Sequence, residues 1–338
     1  MKTYKPKLDF FETEKGIKLV KDTFEHNLSQ SLNLVRVTAP RFLVTGTGLQ
    51  DDLAGTQTPV AFRTKFRDED VEIVHSLAKW KRYTLGRHGF KEGHGLYTDM
   101  DAIRKDEDVD DIHSVYVDQW DGERVIGTEE RSIGFLEDVV RKIYSSITET
   151  AEVIHAAFPS LRAYRPKEIT FVHCEDAESR YPSLSSTGRE HKLAEEYGAV
   201  FLIGIGYPLK SGKPHDLRAA DYDDWSTETY GGRHGLNGDI IVWDETRGKS
   251  LELSSMGIRV DRGSMQRQLD MCGLSYRQEL PFHKSVIEDR MPLSIGGGIG
   301  QSRLCMLLLQ KAHIGEVQSS VWPEFYLKEM EGKGMLIL

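Results

Sequence analysis

Four glycines and one arginine form the stretch best suited to binding an anionic ligand. The glycines of I-G-G-G-I-G, within residues 294–310, lead into an apolar segment at helical spacing, and Arg303 follows one turn into it. Without a Cβ, glycine lets backbone approach a flat or anionic ligand, and free N–H groups at a helix start favour negative charge. Arginine adds a planar, permanent charge. The stretch predicts a nucleotide site, and a glycine-rich turn that caps a core helix is the alternative.

Better-known catalytic motifs are excluded by their context. The residues E-D-R-M-P-L before the glycines do not form the strand that a dinucleotide fingerprint requires. The nearest match to a Walker phosphate loop, from Gly206 to Lys213, has one residue too many and precedes Pro214. There is no H-E-x-x-H metal motif and no G-x-S-x-G nucleophile turn. Zinc hydrolysis and acyl-serine chemistry therefore have no support.

Two carboxylates in a predicted hairpin are candidate ligands for a cation. Its strands flank the turn D-E-T-R-G-K. If the loop is symmetric, Asp239 faces Ser254 and Glu252 faces Ile241, so both carboxylates share one face about 7–8 Å apart. Mg²⁺ usually takes only one or two protein carboxylates together with substrate phosphates. The pair predicts a magnesium and phosphate site, with a solvated charged face as the alternative.

Acidic, aromatic and cationic residues elsewhere form a candidate site for a zwitterion. The strand H-S-V-Y-V-D-Q-W-D carries more polar groups than a plain surface strand needs, and D-Y-D-D-W is a second acidic cluster. Beside Lys81 and Arg259, such carboxylates suit an ammonium group, while the two cations suit carboxylates. For each residue taken singly, an ordinary surface charge is the alternative.

Composition limits the partners and the compartment. The 338 residues include 44 basic and 53 acidic side chains, for a net charge of −9, and this balance disfavours a large nucleic-acid partner. The three cysteines are far apart, which fits a reducing compartment. The charged N-terminus lacks a signal-peptide core, and no apolar run approaches membrane-spanning length. We expect a cytoplasmic protein without a membrane or nucleic-acid partner.

Periodicity predicts the elements that must position these groups. Residues 9–31 have helical spacing and begin at a capping box on Asp9, and residues 134–158 form a long amphipathic helix. The segment 42–60 has the composition of a loop, and 280–291 is expected to be helical.

The order of these elements indicates the fold class. Strands occur in both halves of the chain, and helices do not alternate with them regularly. This arrangement favours an α+β fold around a mainly antiparallel sheet flanked by helices. No change in composition marks a boundary, so we expect a single domain over residues 1–338.

Motif order and several long strings give the chain a family resemblance. A helix, a strand ending near Pro40, Arg104 before an acidic strand pair, and a Gly-rich strand–helix with Arg303 resemble the three motifs of the class II aminoacyl-tRNA synthetase core. H-S-L-A-K-W-K-R, H-S-V-Y-V-D-Q-W-D, D-Y-D-D-W-S-T, G-L-N-G-D-I, E-L-S-S-M-G-I-R-V and I-G-G-G-I-G-Q-S-R more closely resemble ammonia-dependent asparagine synthetase A, the aspartate–ammonia ligase family. The resemblance spans about residues 8–325.

The resemblance implies an activity and a mechanism. The family makes asparagine, AMP and pyrophosphate from L-aspartate, ATP and ammonia, as a homodimer. Its fold is the class II catalytic core without an anticodon-binding domain. The side-chain carboxylate is first activated as β-aspartyl-adenylate, and ammonia then displaces AMP.

The resemblance also implies roles for individual residues. Arg104 would hold the α-phosphate, and Asp51 would act as general base on ammonium. The other implied nucleotide-binding residues are His113, Asp239, Ser254, Ser255 and Arg303. Asp239 and Glu252 match the family's metal ligands. The amino-acid-binding positions are Ser76, Lys81, Gln119, Asp121, Asp223 and Arg259, and Gln119 also counts among the catalytic residues.

Departures from the family patterns and rival functions are limited. Class II motif 3 generally has an acidic residue before its arginine. This chain has Ser302 at that position, as asparagine synthetases do. The loop 105–113 and the tail after Phe325 match less well, which leaves the dimer contacts and the active-site lid open. The rivals are an aspartyl-tRNA synthetase-like enzyme and a non-catalytic synthetase paralogue. Glutamine-dependent amidation would need a cysteine near the N-terminus, and the first cysteine is Cys174.

Overall fold

An eight-stranded sheet forms the centre of the molecule. The computed structural model describes residues 4–53 and 57–338. Strands are numbered in chain order. Across the sheet they lie in the order β1-β5-β6-β11-β10-β9-β8-β7. Across the sheet these strands are β1 Leu34–Arg36, β5 Gly95–Ile103, β6 Tyr116–Val125, β11 Ser294–Gly300, β10 Lys249–Ile258, β9 Asn237–Asp244, β8 Ala199–Ile203 and β7 Thr170–His173.

The pairing of these strands confirms the expected fold class. The six central strands, in the order β5-β6-β11-β10-β9-β8, pair antiparallel with their neighbours. Strands β1 and β7 pair in parallel at the two edges. Helices flank this sheet, as an α+β fold requires. The expectation of a single domain stays a prediction.

A small second sheet corrects one sequence expectation. Its strands are β2 Phe42–Val44, β3 Ala61–Phe62 and β4 Val71–Ile73, in the order β2-β4-β3. The segment 42–60 is therefore not all loop. Three consecutive apolar residues pair with β4 there, and Leu43 is buried against Val74 and Leu77.

Two long helices cover one face of the large sheet. Helix α1 (Phe10–Leu32) begins at the predicted capping box, in which Glu12 N donates to Asp9 Oδ1 over 2.8 Å. Helix α3 (Ile133–Ala157) lies within about one residue of its prediction. Their buried apolar faces join inward-pointing strand residues such as Met256 and Ile299 in the main core.

The remaining helices are shorter and lie between or beside the strands. None of the helices in the described ranges is both long and apolar enough to span a membrane. The helix expected over 280–291 ends at Ile287, and Asp289 adopts a positive φ of 55° soon after. These helices are α2 Ala78–Arg87, α4 Cys174–Arg180, α5 Ser186–Tyr197, α6 Arg262–Met271, α7 Pro281–Ile287, α8 Gln301–Leu308 and α9 Glu324–Gly332.

Candidate functional site

The face of the sheet opposite α1 and α3 carries a cleft of about 290 Å³. Trp120 packs on Phe24 of α1 at 4.7 Å between ring centroids. Because side chains alternate along a strand, Gln119 and Asp121 point to the other face. Five residues predicted from the sequence to bind nucleotide or aspartate line this cleft, together with Glu252: Arg104, His113, Gln119, Ser255 and Arg303.

The arginines at one end of the cleft are held loosely. Arg104 follows β5, and its Nη2 donates to the His75 carbonyl over a long 3.4 Å, while its buried Nε has no partner among the described residues. Arg303, in the first turn of α8, donates Nη1 to the Glu252 carbonyl over 3.0 Å. His113 donates Nδ1 to Asp110 over 2.9 Å. The guanidinium groups of Arg104 and Arg303 therefore keep donors for an anionic ligand.

The glycines make room within the sheet for side chains of the neighbouring strand, which the sequence did not predict. They lie within β11, as the Gly-rich strand–helix of the family resemblance implies, and not in the alternative capping turn. A Cβ on Gly296 would collide with the Glu123 carboxylate, and one on Gly298 with the Gln119 amide. The missing side chains therefore make room for the protein's own polar groups. The start of α8 is not free either, because Ser302 N donates to Asp118 Oδ1 over 3.0 Å.

A buried charge network forms the other end of the site. Lys81 is fully buried, and its Nζ donates to Asp121 Oδ1 over 2.8 Å and to the carbonyls of Gly122 and Gly297. Arg259 is 2 % exposed and binds the Glu123 carboxylate through Nε and Nη2. Its Nη1 donates to Asp223.

Among the directly paired groups of this network, carboxylates outnumber cations by one. Two cations, Lys81 and Arg259, meet the three carboxylates of Asp121, Glu123 and Asp223. Burial pushes the pKa of Glu123 up, but the charges of Arg259 and Lys81 outweigh it and hold that pKa below its usual range. Burial raises the pKa of Asp223 despite Arg259. An excess negative charge in a dry site favours a cationic ligand group, such as an ammonium.

Asp51 and Ser76, predicted for different roles, contact each other. Ser76 Oγ donates to Asp51 Oδ2 over 2.7 Å, and Leu53 N donates to Oδ1 over 2.8 Å. Asp51 is only 2 % exposed, and its carbonyl accepts from His75 Nδ1 at 3.1 Å. Both carboxylate oxygens of Asp51 are therefore fixed in orientation by the chain itself.

A second buried cluster, which the sequence did not reveal, supports the loop that carries Asp51. Asp221 accepts from Lys79 Nζ at 2.8 Å and from His283 Nε2 at 2.9 Å. Arg277 lies 3.6 Å from Asp221 and also donates to Asp52. Burial opposes ionisation of Asp221, but Lys79 and the His283 bond hold its pKa far below the usual range. In the sequence, Asp221 belongs to the acidic cluster D-Y-D-D-W, but its spacing does not predict Lys79 and His283 as its partners.

The pairing of β9 with β10 matches the prediction at Glu252 but is shifted by one residue at Asp239. Glu252 faces Ile241 as expected, but a β-bulge between Glu252 and Ser254 places Ser255 opposite Asp239. Ser254 consequently borders an apolar cavity on the helix-covered face, beside Leu28 and Ile143. Of the two predicted serines, only Ser255 reaches the cleft.

Arg218 is the main site residue that sequence reasoning missed. It lines the cleft, and its guanidinium donates to Asp239 and, over 2.9 Å, to Asp216. Burial raises the pKa of Asp239 to about 7, and the charge of Glu252 adds to this effect, while Arg218 opposes it. Arg218 lies in an irregular segment, and no periodicity there singled it out.

Comparison with solved structures defines the fold class. Asparaginyl-tRNA synthetase from Pyrococcus horikoshii, in complex with asparaginyl-adenylate, aligns with a TM-score of 0.66 at 15% identity, over 92% of this chain and 70% of that one. Entamoeba histolytica asparaginyl-tRNA synthetase aligns with a TM-score of 0.62 at 15% identity, over 90% and 67%. The chain thus has the class II aminoacyl-tRNA synthetase catalytic-core fold.

Sequence comparison gives the family within that class. The aspartate–ammonia ligase family matches residues 11–334, and this chain belongs to it. A protein of Parabacteroides distasonis named aspartate–ammonia ligase is 52% identical over 336 residues, which are 99% of this chain and 97% of that protein. One of Clostridium perfringens strain SM101 with the same name is 50% identical over 338 residues, 100% and 98% of the two chains. The family and fold inferred from the sequence strings are confirmed.

Proposed function

We propose that this protein joins L-aspartate and ammonia into asparagine by splitting ATP to AMP and pyrophosphate, with β-aspartyl-adenylate as the intermediate. The ligase activity follows from family membership and from full-length relatives at about half identity. One observation carries the proposed chemical course. The cleft that contains Arg104 and Arg303 is also lined by Gln119 and Gly298, and Asp121 of the buried charge network lies beside Gly298.

The buried network is the proposed aspartate site. Its excess negative charge suits the ammonium of aspartate, and its fixed geometry limits how the amino acid lies. Gln119, on the cleft wall and in the strand that carries Asp121, holds the substrate so that the side-chain carboxylate faces Arg104. Lys81 has all three donors occupied, and Arg259 bonds both Glu123 and Asp223, so the two cations fix the carboxylates around the ligand.

The loosely held cations are the proposed triphosphate site. Attack of the side-chain carboxylate on the α-phosphate moves negative charge onto the phosphoryl oxygens and then onto pyrophosphate. Arg104, with its unpartnered buried Nε, stabilises that charge without first breaking a strong bond. Arg303, His113 and Ser255 line the same cleft and hold the nucleotide.

Glu252 on the cleft wall and Asp239, which is bonded to the cleft residue Arg218, suit a divalent cation that is brought by the nucleotide. Asp239 Oδ1 is buried without a hydrogen-bond partner among the described residues, and Glu252 lies on the cleft wall. The described residues contain no cluster of three or more potential metal-binding side chains. Two carboxylates suit Mg²⁺ when phosphate oxygens complete its shell. We therefore assign Mg²⁺ to Asp239 and Glu252, where it would neutralise phosphate charge.

Asp51 is the proposed base for the second step. Ammonia is mostly ammonium at neutral pH, and one proton must leave before nitrogen attacks the adenylate. The Asp51 carboxylate is buried and oriented by Ser76 and the Leu53 amide, so it can accept this proton in a fixed position. AMP then leaves with the electrons of the carbon–oxygen bond.

We also propose a homodimer and a cytoplasmic location. The small sheet exposes Phe42 and Phe62, whose rings lie 5.4 Å apart beside an open hollow lined by Arg41 and Tyr116. An exposed aromatic pair supports association with a second copy. All three cysteines are free, which fits a reducing compartment.

Product analysis tests the proposal. The protein is incubated with ATP, Mg²⁺, L-aspartate and ammonium, and with glutamine in place of ammonium in a parallel sample. We expect asparagine with equal amounts of AMP and pyrophosphate, and only with ammonium. ADP in place of AMP contradicts the adenylate. Nucleotide binding without any product supports a non-catalytic paralogue.

A further inference from the structure

Arg218 occupies the carboxylate to which the proposed function assigns a divalent cation. Its Nη2 donates to Asp239 Oδ2, and Glu252 lies near enough for its charge to act on both residues. The side chains of Arg218 and Asp239 are 13% and 7% exposed. A buried arginine–carboxylate pair therefore borders the cleft at the proposed phosphate end.

The pair is incomplete on both sides. Arg218 Nε and Asp239 Oδ1 are both buried, and neither has a hydrogen-bond partner among the described residues. Buried polar groups are usually satisfied, and an unsatisfied one raises the free energy of the state that contains it. Each partner thus keeps one site of binding capacity for something that the protein alone does not supply.

A bound triphosphate changes the charge balance at this point. Asp239 and Glu252 already place two carboxylates there, and the triphosphate adds several more negative charges. A divalent cation on the carboxylates offsets part of this repulsion. The arginine fork, once released from Asp239, matches the geometry of phosphate oxygens.

We propose that Arg218 is a further phosphate-binding residue that exchanges partners. Without nucleotide it neutralises Asp239. With ATP and its divalent cation bound, Arg218 leaves Asp239 to the cation and donates to a phosphate of ATP. This inference rests on the proposed use of ATP, and it adds a residue that couples metal binding to nucleotide binding.

Two binding measurements on Arg218→Gln test the exchange, because the affinity for Mn²⁺ should rise while the affinity for ATP should fall. Mn²⁺ serves as the metal probe on nucleotide-free protein, and free Mn²⁺ is followed by electron paramagnetic resonance. We expect at least about tenfold tighter Mn²⁺ binding, because no arginine competes for Asp239. ATP binding at saturating Mg²⁺ and without aspartate, measured by titration calorimetry, is expected to weaken about tenfold or more, because the phosphate donor that the cation frees from Asp239 is lost.

Two further variants separate the exchange from a structural role. Arg218→Lys keeps the charge but loses the fork, so Mn²⁺ binding should stay as weak as in the unmodified protein while ATP binding falls. Arg189→Gln removes another little-exposed arginine, which lies 3.7 Å from Glu178 outside the cleft. It should change neither affinity.

The outcomes distinguish this inference from the proposed function. Unchanged Mn²⁺ affinity in Arg218→Gln overturns the exchange, and so does an unchanged ATP affinity. A parallel loss of both affinities with a lower melting temperature shows a structural role and also overturns it. Failure of the unmodified protein to bind ATP would instead contradict the proposed function.

Discussion

The two ends of the proposed site, the cleft with its arginines and the buried network beside it, differ in how far the protein completes them by itself. At the proposed aspartate end, Lys81, Asp121, Glu123, Arg259 and Asp223 are buried and bonded to one another. At the proposed phosphate end, Arg104 makes one long hydrogen bond and keeps a buried nitrogen without a partner among the described residues, while Arg303 bonds one carbonyl and lies 3.8 Å from the Glu252 carboxylate. One end is built before any ligand arrives, while the other keeps free donors for the ligand.

This difference assigns separate tasks to the two ends. A rigid, desolvated network distinguishes amino acids by shape and charge, because a wrong ligand leaves buried charges without partners. Free arginine donors lose little when they turn to a phosphate, so their interaction energy goes to the charge that develops during reaction. Substitutions at the first end should therefore affect folding, and those at the second should affect catalysis.

The largest expected effect is on stability, at the saturated end. Arg259→Met leaves Glu123 and Asp223 buried without their cation and should lower the free energy of unfolding by about 3–5 kcal/mol. Urea unfolding followed by circular dichroism measures this change. Arg303→Met is the matched control, and it should lower stability by less than about 1 kcal/mol, because among the described residues Arg303 bonds one carbonyl and otherwise only approaches the half-exposed Glu252 carboxylate at 3.8 Å. Equal losses would remove the distinction between the two ends.

The next effect is on adenylation, at the open end. Arg104→Ala should slow aspartate-dependent pyrophosphate release by roughly 10²–10³-fold, since a preorganised charge on the α-phosphate is lost. A coupled pyrophosphate assay measures the rate. The variant should keep its melting temperature, because within residues 4–53 and 57–338 the Arg104 side chain makes only one long hydrogen bond. Adenylation at the original rate would refute the α-phosphate role.

A smaller, step-specific effect is expected at Asp51. Asp51→Asn keeps the Ser76 contact possible but removes the base, so amide formation should slow by about 10²-fold while adenylation is retained. Single-turnover measurements with and without ammonium separate the two steps. If both steps slow together, Asp51 does not act in the ammonia step alone.

The smallest expected change is a pH-dependent difference in stability caused by Asp221 in the second buried cluster. Because the folded-state pKa of Asp221 is depressed, its contribution to stability is present above its unfolded pKa of about 3.9 and is lost as pH falls through the folded value. The stability gap between the unmodified protein and Asp221→Asn should be constant above about pH 5. Below about pH 4 it should narrow, by at most about 1.4 kcal/mol per pH unit. A gap that widens toward acid would show that the pKa is raised.

Regular spacing explains which parts of the fold the sequence predicted. Helices α1 and α3 have apolar residues at helical spacing, and Asp9 with Glu12 marks the start of α1. The hairpin strands alternate around a turn-rich segment, so β9 and β10 were also found. The family strings then located residues on several strands that share one face.

The missed features depend on contacts between distant segments. The bulge beside Leu253 changes the hairpin register, yet no glycine or proline marks it. Asp221 and His283 meet across 62 positions, and Lys79 reaches Asp221 across 142. Arg218 lies in an irregular segment where periodicity gives no information. The glycines of β11 suggested a ligand, but the groups above them are Glu123 and Gln119 of the neighbouring strand.

Isotope transfer tests the β-aspartyl-adenylate most directly. The protein is supplied with ATP, Mg²⁺, ammonium and L-aspartate that carries ¹⁸O in both oxygens of the side-chain carboxylate, and AMP is analysed by mass spectrometry. Attack of that carboxylate on the α-phosphate predicts one ¹⁸O in AMP and one in asparagine. Unlabelled AMP together with asparagine formation would contradict the adenylate. Label recovered in inorganic phosphate would indicate an acyl phosphate in its place.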